Sequence, residues 1–120
     1  MLAKILRSTL NGLRGLAGAY QFDQSFRMEI WGSLIFVFVG WLIWPLEPLE
    51  LILLVLSYGL ILITELINTS VERMLERLHP EIHDLVGQSK DIASAAVLVA
   101  FVVAGIIVLA LLANNFGLWF

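Results

Sequence analysis

Four polar residues interrupt an apolar run where a membrane span would ordinarily carry leucine or valine: Glu65, Asn68, Glu72 and Glu76. On a helix they stay within a sector of about 80°, so they form one acidic stripe. A carboxylate near hydrocarbon opposes insertion by roughly 2.5–3.5 kcal/mol, and such a residue is by default a candidate for function. Glu65, the deeper member, is placed to act as a general base on a hydroxyl, with Asn68 to orient it or bind a polar headgroup. Glu72, paired with Asp23 from earlier in the chain, offers hard oxygen ligands of the kind Mg²⁺ shares with substrate phosphates and water. Lys90 supplies a point charge for a phosphate. Together these groups describe phosphoryl transfer to an alcohol dissolved in a membrane.

The elements that position them follow from composition. The chain has 120 residues, 60% of them hydrophobic and 14% charged, with a mean hydropathy of +0.93. This is far from the globular norm and reads as one all-α membrane domain over residues 1–120. Cysteine is absent, which excludes disulfides, thiolate metal sites and cysteine nucleophiles. No cleavable signal peptide is expected, because Lys4, Arg7, Asn11 and Arg14 break the first apolar residues. The net charge of −3 is unevenly spread, and no nucleic-acid partner is expected.

Residues 2–28 read as an amphipathic interfacial region. Leu2, Ile5, Leu6, Leu13 and Leu16 recur at helical spacing, with the cations on another side. Gly12, Gly15 and Gly18 form a small-residue series that is not a dinucleotide fingerprint. Charge-free or nearly charge-free runs then predict three transmembrane helices, over residues 30–46, 51–71 and 92–118, the second continuing to about residue 78. Trp31, Trp41, Trp44 and Trp119 fit interfacial belts. Pro45 and Pro48, with Glu47 and Glu50, mark a short turn, Pro80 breaks the second helix, and a polar connector runs from Glu81 to Asp91. Ala96, Ala100 and Ala104 form a seam of small residues that permits close helix approach. Lys and Arg lie before the first span and between the second and third, so the N-terminus is expected in the cytoplasm and the C-terminus outside. This puts Asp23, Glu29, Glu72, Glu76, Lys90 and Asp91 at one membrane face, with Glu65 about two turns deeper.

The sequence Glu65-Leu-Ile-Asn68-Thr-Ser-Val-Glu72, followed by Gly87-Gln-Ser-Lys90-Asp91-Ile-Ala-Ser-Ala-Ala-Val, resembles the signature of the small prokaryotic diacylglycerol kinases. The likeness extends over nearly the whole chain. It implies a homotrimer in the bacterial inner membrane, MgATP as donor, diacylglycerol as acceptor and phosphatidic acid as product. By position, Glu65 would be the base, supported by Asn68, and both with Ser94 would meet the lipid. Glu72 would ligate the ATP-bound metal. The family's other metal ligand is a glutamate shortly before Phe-Arg-x-Glu; here that motif is Phe26-Arg27-Met28-Glu29 and the matching residue is Asp23, one methylene shorter. The resemblance assigns Asp23, Glu72, Glu81, Ile82, His83, Lys90 and Asp91 to the nucleotide, with Lys4 and Arg7 as further contacts.

Other readings stay open. Relatives of the same fold phosphorylate undecaprenol, and the site motif does not separate the two lipids. An intramembrane glutamate would also serve a proton or cation transport subunit, which would not need the Asp23, Glu72 and Lys90 cluster. A scaffold without chemistry is the third reading. A histidine metal pair at His79 and His83 is not expected, because Pro80 breaks the helical face between them.

Overall fold

The computed structural model describes residues 1–81 and 83–118, and within them the chain is all-helical. Four helices follow in order: α1 (Leu2–Phe22), α2 (Gln24–Leu42), α3 (Pro48–Leu78) and α4 (Asp84–Asn115). The last three are long and apolar enough to cross a membrane. Trp119 and Ile82 fall outside the described residues.

The helix ends have local causes. Asp23, in extended backbone, separates α1 from α2, and its Oδ1 accepts a hydrogen bond from the Ser25 amide at 3.0 Å as the N-cap of α2. Arg27 reaches back to donate to the carbonyls of Tyr20 and Gln21, both at 2.8 Å, satisfying the open end of α1. The first apolar helix therefore starts at Gln24, inside the stretch expected to lie along the interface. It stops at Leu42, leaving residues 43–46 of the expected span in the turn. Pro48 opens α3, where a missing N–H costs nothing. The Glu50 side chain accepts from the Glu47 amide at 3.1 Å.

The connector before the third span is shorter than its polarity suggested. His83 Nδ1 accepts from the Leu85 amide at 3.1 Å, and α4 begins at Asp84, so residues 84–91 are helix rather than loop. Charged residues on the exposed face of an emerging helix look like a loop in composition, but their backbone bonds are already made.

Packing is thin and centred on α3. One core cluster joins Val39, Ile43, Leu54 and Leu111; the other joins Ile61, Ala100 and Ala104. Phe36 packs against both. The alanine seam thus seats α4 on α3 through Ala100 and Ala104, whereas Ala96 is exposed. Small side chains let the backbones approach, which matters in lipid because apolar burial between helices gains little there. Most of the large apolar side chains of α2, α3 and α4 point outward. In α1 Ala19 alone is buried, close to the joint with α2.

Candidate active site

The site grows from the middle of α3. Glu65 is 4% exposed, and the carboxylates of both Asp23 and Glu29 lie within hydrogen-bonding reach of it. Asp23 arrives through the α1–α2 joint, and its Oδ2 also accepts from the Thr69 hydroxyl at 2.5 Å. Glu29 arrives one and a half turns along α2, where the Tyr58 hydroxyl of α3 donates to its backbone carbonyl at 3.1 Å. Three carboxyl groups from two helices and a joint therefore converge on one point.

One turn further along α3, Asn68 is buried and sends Nδ2 towards Glu72 Oε1 at 3.5 Å, a long contact. Its amide is thus turned to Glu72 rather than to Glu65, because the i, i+4 spacing brings those two side chains side by side. The Asn68 Oδ1 atom is buried without a partner, as is Glu29 Oε2. An orphaned buried oxygen is costly unless something donates to it.

A second group of expected residues gathers where α3 gives way to α4. Glu81, His83 and Lys90 line a cleft of about 350 Å³ together with Glu76 and His79. Lys90 Nζ sits 3.9 Å from Glu76 Oε1, and His79 Nδ1 sits 3.3 Å from Glu81 Oε1. Hydrogen bonds from its own backbone and from His79 hold the exposed Glu81 carboxyl below its ordinary range. His83 spends Nδ1 on the α4 cap and leaves Nε2 free for other contacts. Ile82 falls outside the described residues. Asp91 and Ser94 are exposed on α4, outside this cleft and outside the carboxylate cluster. Lys4 and Arg7 are exposed on α1.

Among the described residues no three His, Asp or Glu side chains are arranged to hold a metal ion. Mg²⁺ asks for less, usually one or two carboxylates with substrate phosphates and water completing the octahedron. Glu72 fits that role: it is half-buried at the rim of the cluster and carries only the long contact from Asn68. Asp23 fits less freely, since both its oxygens already accept hydrogen bonds, although a carboxylate has further lone pairs.

Two participants were not picked out from the sequence. Glu29 was read as a charge near the membrane face and as the end of the Phe-Arg-x-Glu motif, with no role in the site, yet it stands beside Glu65. Its spacing from Asp23 gave no signal: six residues along a helix leave two side chains about 120° apart, and it is the extended backbone at Asp23 that lets both reach one neighbour. Thr69 gave no signal, since a hydroxyl in a membrane helix usually bonds its own backbone.

Known proteins match nearly the whole chain. The family model described as "Prokaryotic diacylglycerol kinase" matches residues 11–112. A protein named diacylglycerol kinase from Escherichia coli (strain K12) is 34% identical over 115 residues, covering 95% of this chain and 93% of its own. Proteins of the same name from Haemophilus influenzae and Pseudomonas aeruginosa are 32% and 31% identical, covering 88% and 85% of this chain and 89% and 82% of theirs. Matches of that extent, carried by a chain with three membrane-length helices and a buried acidic cluster, show that it belongs to the prokaryotic diacylglycerol kinase family.

Proposed function

We propose that the protein is a membrane lipid kinase that transfers the γ-phosphoryl group of ATP to the hydroxyl of diacylglycerol, giving phosphatidic acid and ADP. The observation that carries the reading is Glu65, buried at 4% exposure in an apolar helix and met there by the carboxylates of Asp23 and Glu29. Three acids gathered at that depth cost stability, and the cost is explained by chemistry on a hydroxyl that arrives from the lipid side. Family membership supplies the reaction class.

In this reading the acceptor hydroxyl docks against Glu65, and Asn68 Oδ1 takes a hydrogen bond from the incoming lipid. The hydroxyl oxygen bonds to the γ-phosphorus as the bond from that phosphorus to the ADP oxygen breaks. The hydroxyl proton passes to Glu65. Asp23 and Thr69 hold the α1–α2 joint against α3, and Glu29 fixes the Glu65 carboxyl from α2. Lys90, Glu81 and His83 form the cleft for the nucleotide, with Asp91 and Ile82 beside it, and Ser94 extends the lipid side. Glu72, with Asp23, would hold Mg²⁺, which when bound neutralises charge on the phosphates.

We further infer that α1 lies along the membrane surface and that the N-terminus and the α3–α4 connection face the cytoplasm, where ATP is found. The distribution of Lys and Arg supports this orientation. The outward apolar faces of three thinly packed helices suit association with further copies, and the family suggests three.

The test is transfer of radiolabel from γ-labelled ATP to lipid by the purified full chain in mixed micelles, with diacylglycerol and undecaprenol offered at equal mole fraction. Label in phosphatidic acid is expected, and it should require Mg²⁺. Label in undecaprenyl phosphate alone would reassign the acceptor. Label in neither lipid would remove the kinase reading.

A further inference from the structure

Between α1 and α3 lies a cleft of about 480 Å³ that the reaction described above does not use. Arg14 on α1 and Arg73 on α3 line it, and no acidic side chain does. Among the described residues neither guanidinium takes part in an ion pair, whereas Lys90 in the α3–α4 cleft is met by Glu76. The Arg73 guanidinium carbon stands 4.3 Å from the centre of the Phe22 ring, a cation–π contact that steadies the group and uses none of its N–H donors. Ser70, exposed on the same side of α3, adds a hydroxyl. Gly12 and Gly15 keep the α1 wall low, since a Cβ at either would meet nothing within 4 Å. Two unpaired cations and a hydroxyl over an apolar floor of Leu16 and Leu66 suit a phosphate that carries an apolar tail.

We propose that this cleft binds the phosphatidic acid product by its phosphate, apart from the point where the acceptor reacts, and that bound product slows turnover. The inference rests on the lipid-kinase reading above and adds regulation to it. Charge selects the occupant. A phosphate monoester carries a charge of about −1.5 to −2 at neutral pH and three terminal oxygens, enough to serve both guanidiniums. The phosphodiester of an ordinary phospholipid offers one charge and two free oxygens, and diacylglycerol offers no charge. Position points the same way. Thr69 lines the cleft, and its hydroxyl donates to Asp23, whose carboxylate lies beside Glu65. The cleft and the carboxylate cluster therefore share one wall. A phosphate held between Arg14 and Arg73 ties α1 to α3 on the far side of that wall. Asp23 alone separates α1 from α2, so the tie restrains the joint through which α1 reaches Glu65.

Binding is tested on the full chain in nonionic micelles by phosphorus NMR titration with dioleoylphosphatidic acid, dioleoylphosphatidylglycerol and inorganic phosphate. Phosphatidic acid should bind about tenfold or more tightly than either of the others, the scale of an added charged hydrogen bond. Arg14→Gln and Arg73→Gln should each weaken it by about tenfold or more, and Arg77→Gln, a cation of α3 outside the cleft, should not. Gly15→Leu, which fills the cleft and leaves every charge in place, should weaken it as well. Equal affinity for phosphatidylglycerol or for inorganic phosphate would overturn the choice of occupant. Equal loss in Arg77→Gln, or no loss in Gly15→Leu, would mean attraction by net charge alone and would overturn the site.

Turnover supplies the second measurement. Dioleoylphosphatidic acid added to the radiolabel assay should lower kcat for dioleoylglycerol without raising its KM, because the two lipids sit apart. Arg73→Gln, scored against its own uninhibited rate, should need about tenfold more phosphatidic acid for the same fractional inhibition. Inhibition seen only as a raised KM would put the product at the acceptor's own position and overturn the proposal. So would an Arg73→Gln variant inhibited like the parent, or a parent that phosphatidic acid does not slow. The two readings fail separately. Binding of phosphatidic acid that depends on Arg14 and Arg73, in a chain that labels no lipid, would leave the site standing and remove the kinase reading. A working kinase whose product ignores both arginines would remove the site alone.

Discussion

Two buried glutamates lie on α3, about four turns apart, and the chain treats them in opposite ways. Glu50 is 8% exposed and fully provided for: one carboxylate oxygen accepts from the Glu47 amide, the other from the Asn115 side chain of α4. It closes the start of α3 and ties it to the end of α4. Glu65 is buried as deeply, yet its neighbours are two more carboxyl groups, and nearby oxygens of Glu29 and Asn68 have no partner at all. A buried acid that stabilises is surrounded by donors; a buried acid kept for reaction is surrounded by groups that leave it unsatisfied.

Activity gives the sharpest way to break that contrast. Glu65→Gln should lower lipid phosphorylation by about 10²–10⁴-fold, the usual contribution of a general base, while Glu50→Gln should leave it near the parent rate. Comparable losses in both would make Glu65 another structural acid. Stability should run the other way. Glu50→Ala removes the acceptor of the Glu47 N–H and one of the two acceptors of the Asn115 amide, which keeps the Leu111 carbonyl, costing about 1–3 kcal/mol in detergent unfolding, whereas Glu65→Gln should cost nothing or gain. A destabilised Glu65→Gln would contradict the assignment just as clearly.

The smallest effect concerns an exposed acid, Glu81, as a reference for the buried pair. Its hydrogen bonds lower its carboxyl from the ordinary value of 4.5, so the ordering it gives the α3–α4 turn is present above that value and fades as pH falls through the lowered one. Carbon-detected titration of the Glu81 carboxyl should therefore give a midpoint below 4.5. A midpoint at or above that value would mean the His79 contact does not persist in solution.

Much of this was legible in the residues. The acidic stripe named Glu65, Asn68 and Glu72 because polar side chains in an apolar run have few bland explanations. The three apolar helices follow from composition, and Ala100 and Ala104 pack as their spacing suggests. Helix ends were harder. The start of α4 at Asp84 and the end of α2 at Leu42 depend on a histidine cap and a proline turn whose strength is set by three-dimensional geometry. Glu29 and Thr69 escaped for a related reason. Their importance lies in which neighbour α2 and α3 present to them, and pairing between helices is not written along either one. Glu50 was read only as part of a turn, since nothing local announces that Asn115 will return to it.

The joint at Asp23 has a mechanical consequence. One residue separates α1 from α2, and that residue's side chain caps α2 while bonding Thr69 on α3. Arg27 meanwhile grips the last carbonyls of α1. The first helix is therefore a lever on a pivot that also belongs to the carboxylate cluster: swinging it turns α2 or parts Asp23 from Thr69. Whatever moves α1 is felt at Glu65.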